Sequence, residues 1–112
     1  MRGLDRLLGL LRPTGLPDRT LMMMVGAQTD FVDGIARSCI NEMRAERRTG
    51  VSSEEFWQAQ APTLIDAMNS GDFPTMADLS EETFEFSHEE LFEFGLERLH
   101  DGFESLVRAA SE

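Results

Sequence analysis

The stretch HEELFEFGLERLHDGFESLV, residues 88–107, reads as one amphipathic helix with two glycines in it, Gly95 and Gly102, one heptad apart. A glycine costs a helix interior roughly 1 kcal/mol relative to alanine. Two such positions in about five turns therefore ask what lies against them. Leu91, Gly95, Leu99, Gly102 and Leu106 follow a three-and-four spacing, and Phe92, Leu96, Leu99 and Phe103 form a neighbouring stripe. Glycine on such a seam lets another helix backbone come close because no Cβ intervenes, so the spacing predicts a docking groove for a helix. Ser87 and Glu90, at capping-box spacing, mark where this helix begins.

Helix signals also dominate the residues before it, and no segment alternates with period two over β-branched residues. The expected class is all-α, a helical bundle with a long central helix. The first helix covers about residues 2–12, with Leu4, Leu7, Leu8 and Leu11 on one face, and Pro13 and Gly15 stop it. Pro17 suits the first position of the next helix, and Asp18 complements the positive end of its dipole. That helix is predicted to run to about Arg48, where Arg44, Arg47 and Arg48 meet the negative end and Gly50 serves in the C-terminal cap.

At about 30 residues and 1.5 Å per residue it is a rod of roughly 45 Å, and its apolar positions are too many for one stripe. Met22, Val25, Val32, Ala36, Cys39 and Met43 follow one line; Leu21, Met24, Phe31 and Ile35 follow another. Burial within the chain on one side and a ligand cavity or a second subunit on the other would account for both. A third helix opens at the capping-box pair Ser52 and Glu55, meets Pro62, where a kink or restart near Ala61 is expected, and ends at Gly71. A short turn of helix over 74–79 and an acidic loop, DLSEETFEFS, precede the last helix.

Charge is unevenly placed along the 112 residues, whose net charge is −11. Residues 1–48 hold eight arginines against six acids; the rest holds two arginines against fifteen acids. Such a surface repels phosphate, which argues against nucleic-acid binding by this polypeptide itself. No apolar run approaches the ~18 residues of a membrane span, and the leucines of the N-terminal segment are interrupted by Asp5, Arg6 and Arg12, unlike a secretory signal. With the single Cys39, which allows no intrachain disulfide, the expected compartment is the cytoplasm.

The glycine helix also carries a resemblance. Phe92-Glu93-Phe94-Gly95-Leu96 followed by Asp101-Gly102-Phe103 resembles the F-E-x-G-L and D-G-L pattern in the final helix of the C-terminal domain of tetracycline-repressor-family regulators. Phe31-Val32-Asp33-Gly34-Ile35 resembles the F-x-x-G-apolar stretch of that domain's long helix, and the order of elements agrees over nearly the whole chain.

The resemblance implies a regulator in which an N-terminal helix-turn-helix reads operator DNA and a C-terminal helical domain dimerises and holds an inducer. It further implies a homodimer packed through Ile35, Leu91, Gly95, Leu99, Gly102, Phe103 and Leu106. A small apolar effector would lie beside Leu7, Met22, Val25, Gly26 and Thr29, with DNA held only through a helix-turn-helix not present in residues 1–112. On this reading residues 1–112 are a single regulatory domain, truncated at its N-terminus, that takes no cofactor and no metal and has no catalytic residues. The alternative in the same structural class is a stand-alone helical dimerisation module without a ligand.

An enzyme is the third reading, and one spacing speaks for it. Glu85 to His88 and Glu97 to His100 both show the E-x-x-H pattern of di-iron carboxylate bundles. The two copies lie twelve residues apart on nearly one helix, roughly 18 Å by helix rise, too far to converge on one metal pair in one chain. Cys39 lacks a histidine partner on its helix, and Gly3, Gly9 and Gly15 follow no strand, so neither a thiol nucleophile nor a phosphate loop is indicated.

Overall fold

The computed structural model describes residues 1–111, apart from the side chain of Glu81. Those residues form helices and turns with no strand: α1 (Arg2–Leu11), α2 (Asp18–Thr49), α3 (Ser53–Asn69), α4 (Pro74–Ala77) and α5 (His88–Ser111). The fold is all-α. The chain divides into two compact units, Met1–Ala36 with His88–Glu112, and Arg37–Ser87.

In the first unit, α1 closes into a 3₁₀ turn at Arg12–Thr14, where the Thr14 hydroxyl donates to the Leu11 carbonyl at 2.7 Å. Gly15 follows with φ 78° while its N–H reaches the Arg12 carbonyl, a left-handed conformation that a side chain would disfavour. Helix α2 then starts one residue later than the proline pattern suggests. The Pro17 carbonyl accepts from the Leu21 N–H at 3.1 Å, so Pro17 precedes the helix and Asp18 is its first residue.

Leu21 and Met24, 2% and 7% exposed, are the only fully buried apolar side chains among the described residues. From them the inward line of α2 continues through Gln28, Phe31 and Ile35, all half-buried. Helix α5 meets this line. The ring of Phe31 stacks on Phe92 with centroids 6.1 Å apart and planes 18° from parallel. The same ring lies directly over Gly95: a Cβ built there would approach Phe31 Cε2 to 2.6 Å. Three residues earlier on α2, Gln28 Oε1 meets His100 Nε2 at 2.7 Å, and the His100 ring tilts against Phe103 at 6.2 Å. An apolar knob in a glycine hole and a polar pin thus hold α2 against α5.

In the second unit, α2 ends with Arg47 and Arg48 in its last turn, and the N–H of Gly50, at φ 71°, caps the Glu46 carbonyl at 2.8 Å. The Glu46 carboxylate accepts from the Ser53 N–H at 3.0 Å, tying the end of α2 to the start of α3. Ser52 caps α3 as its spacing predicts, its hydroxyl accepting from the Glu55 N–H at 3.1 Å. Pro62 lies inside α3 without breaking it, although its ring leaves one backbone carbonyl without its helical donor. The expected restart at Ala61 is absent; α3 runs to Asn69 and packs against α4. The acidic segment read as a loop contains a 3₁₀ turn, Glu81–Phe84.

The two glycines of α5 respond oppositely to a methyl group. Gly95→Ala must displace Phe31 and is expected to destabilise the chain by about 1–3 kcal/mol, the usual cost of overpacking. Gly102→Ala meets nothing within 4 Å and should be neutral or stabilising by up to about 1 kcal/mol through helix propensity. Urea unfolding followed by circular dichroism at low protein concentration measures both.

Candidate functional site

Two features of the first unit are open to a ligand or partner, and each grows from a helix face already described. The first is the outer side of α5. Its inward residues, Phe92, Leu96, Leu99, Phe103 and Val107, are half-buried. Leu91, Gly102 and Leu106 are exposed, Leu106 by 45%, and no atom from outside its own helix lies within 4 Å of a Cβ built at Gly102. The residues predicted to form one pairing seam therefore divide. Ile35, Gly95, Leu99 and Phe103 lie half-buried, and Phe31 of the same chain lies over Gly95. Leu91, Gly102 and Leu106 face outward.

Arg98 lies on the exposed side of α5, its guanidinium 5.4 Å from the centre of the Phe94 ring. It donates to Asp101 Oδ2 at 3.1 Å and to Glu97 Oε2 at 3.4 Å. Nearer the end of α5, Arg108 pairs with Glu104 at 2.6 Å. Sequence patterning placed Phe31 on the line of Leu21, Met24 and Ile35 without pairing it with Gly95, and it missed Gln28 and Arg98. Phe31 and Gln28 fall on the three-and-four line begun by Leu21 and Met24, so the line itself was the available signal.

The second feature is an open cleft of about 450 Å³ between α1 and the start of α2. Asp5, Leu8, Gly9 and Arg12 line it from α1 and the turn beyond; Asp18, Leu21 and Met22 line it from α2. Of the predicted ligand residues, Met22 alone lines this cleft. Leu7 is replaced by its neighbour Leu8, and Val25, Gly26 and Thr29 lie further along α2. Met22, Val25, Thr29, Val32 and Ala36 continue as a second stripe on α2, half-buried at Val25 and otherwise exposed.

The E-x-x-H residues take other partners: Glu97 pairs with Arg98, and His100 with Gln28. Among the described residues no group of three or more His, Cys, Asp or Glu side chains is arranged to hold a metal ion, and no helix is long and apolar enough to cross a membrane. Cys39 is half-buried on α2.

Residues 1–107 match the family described as the tetracyclin repressor-like C-terminal domain. The chain belongs to that family. A curated relative agrees: the HTH-type transcriptional repressor DrrR1 of Streptomyces coeruleorubidus is 46% identical over 109 residues, covering 96% of this chain. The repressor-like domain spans 39% of that relative's length. No solved structure matches it.

The cleft separates structural from lining roles. Leu21→Ala, which removes a buried side chain from its floor, should cost about 2–5 kcal/mol of stability. Met22→Ala, on the exposed edge, should cost under about 1 kcal/mol. A Met22 cost equal to that of Leu21 in denaturant titration would mean that the cleft closes in solution.

Proposed function

We propose that this chain is the effector-binding and dimerisation part of a transcriptional repressor acting in the cytoplasm. It pairs with a second copy of itself, and operator DNA is gripped by a helix-turn-helix segment outside residues 1–112. Family membership supports the general role, and the relative's being a transcriptional repressor supports repression. The observation that carries the pairing is the state of α5. One side of this helix is already occupied by Phe31 and Gln28 of α2, while Leu91, Gly102 and Leu106 stay exposed on the other. An isologous contact across that face would bury it in both copies at once.

The effector would enter the cleft between α1 and α2 and lie along the stripe from Met22 to Thr29. Methionine suits a surface that adapts to varied apolar molecules, and Asp5, Arg12 and Asp18 at the rim would orient polar groups. Release of the operator then requires that the effector bind one arrangement of the dimer more tightly than the other, since a ligand shifts a conformational equilibrium only by its differential affinity. The second reading is a helical dimerisation module that binds no small molecule. It is favoured by the openness of the cleft and by the absence of Val25, Gly26 and Thr29 from its lining.

Sedimentation velocity tests the pairing. The wild-type chain is expected to sediment as a dimer, Gly102→Leu as a monomer, and Leu106→Ala with dimer affinity reduced about tenfold or more, the scale of a well-packed interface residue. A wild-type monomer at high concentration, or an unchanged Gly102→Leu dimer, overturns the assignment. Monomeric Gly102→Leu should keep its helical circular dichroism, because the change does not touch the contact between α2 and α5.

A further inference from the structure

Phe94, Arg98, Gly102 and Leu106 are spaced by four along α5 and form a single ridge on its exposed side. Around that ridge the helix is acidic: Glu89, Glu90, Glu93, Glu97, Asp101 and Glu104 stand against Arg98 and Arg108. Two copies brought together along α5 would set like charges against each other, a confrontation that disfavours association unless a base intervenes. Arg98 is the base on the ridge, adjacent to Gly102. The face of its guanidinium lies 5.4 Å from the centre of Phe94, which is 60% exposed, and its nitrogens reach Asp101 at 3.1 Å and Glu97 at 3.4 Å. These exposed contacts within one chain contribute little stability, so the half-exposed guanidinium is available to another carboxylate at small cost.

We propose that Arg98 selects the partner of this face, and that the partner is a second copy of this chain. In the dimer each Arg98 takes the Asp101 carboxylate of the other copy, with the ring of Phe94 behind it. The symmetry of an isologous contact makes the two ion pairs form together. A chain carrying an acid at position 98 is rejected by like charge, so the ridge sorts identical copies from related helices of the same apolar pattern. This inference rests on the pairing proposed above and adds to it the residue that chooses the partner.

A charge exchange in the full 112-residue chain tests it, with circular dichroism confirming helicity and native mass spectrometry reading the species. Arg98→Glu and Asp101→Arg should each lose self-association by about tenfold or more. An equimolar mixture should recover a dimer made of one copy of each variant, and raising salt should weaken that mixed dimer. If Arg98→Glu unfolds, Arg98→Ala takes its place, with an intermediate loss of affinity expected. Wild-type-like self-association of Arg98→Glu, or a mixture that stays monomeric, overturns the role of Arg98 while leaving the pairing intact. A monomeric wild-type chain overturns both.

Discussion

The seating of Phe31 over Gly95 is the contact on which the first unit depends. The two residues are far apart in sequence, so bringing them together closes a long loop, and the entropy lost must be recovered where the helices meet. Two fully buried apolar side chains provide little general burial for that purpose. A specific fit takes its place. The glycine removes the only side-chain atoms that would hold α5 away, the ring fills the opening, and Phe92 stacks on the ring from one turn earlier. The bond between Gln28 and His100 adds direction, since a hydrogen bond fixes the register of two helices in a way that apolar contact does not.

Much of this was legible in the chain itself. Glycine and proline punctuation placed all four long helices to within a few residues, because Gly15 and Gly50 occupy backbone conformations that other residues resist and Ser52 has a side chain that reaches back to an orphan amide. The exceptions have physical causes. Pro62 reads as the site of a kink or restart, yet losing one hydrogen bond does not end a helix whose other residues favour continuing. On α5, periodicity reports which face is apolar and not which chain covers it. At Gly95 the neighbour within the chain is Phe31, which no periodicity on α5 alone could name. The cleft shares Met22 with the residues read as ligand-binding, and the rest of its lining depends on how α1 and α2 converge after the turn at Arg12–Thr14. No single helix encodes that angle.

Family membership and local geometry answer different questions about this chain. The match over residues 1–107 fixes the domain type, and domains of one type share an architecture while differing in what they hold. Exposed side chains are where this chain offers something to hold. Asp5, Arg12 and Asp18 give the cleft a charged rim, and Phe94 and Arg98 give α5 a marked ridge. In both places a charged group stands beside apolar surface, which lets a contact be strong and selective at once. The second unit shows the same mixture in another form: Phe56 and Trp57 meet edge-on at 5.6 Å on the acidic start of α3, and Trp57 stays 65% exposed.

The placement of the basic residues has a practical corollary. No lysine or arginine occurs between Arg48 and Arg98, so a protease that cuts after basic residues has no substrate bond from the end of α2 to the middle of α5. Survival of that segment under trypsin would say nothing about how tightly α3 and α4 are packed. Amine-directed reagents meet a similar silence, since the chain contains no lysine and offers them only its N-terminus. Carboxylates are its abundant chemical handles, and an acid-directed protease such as one cutting after glutamate is the reagent to which its folding state is visible.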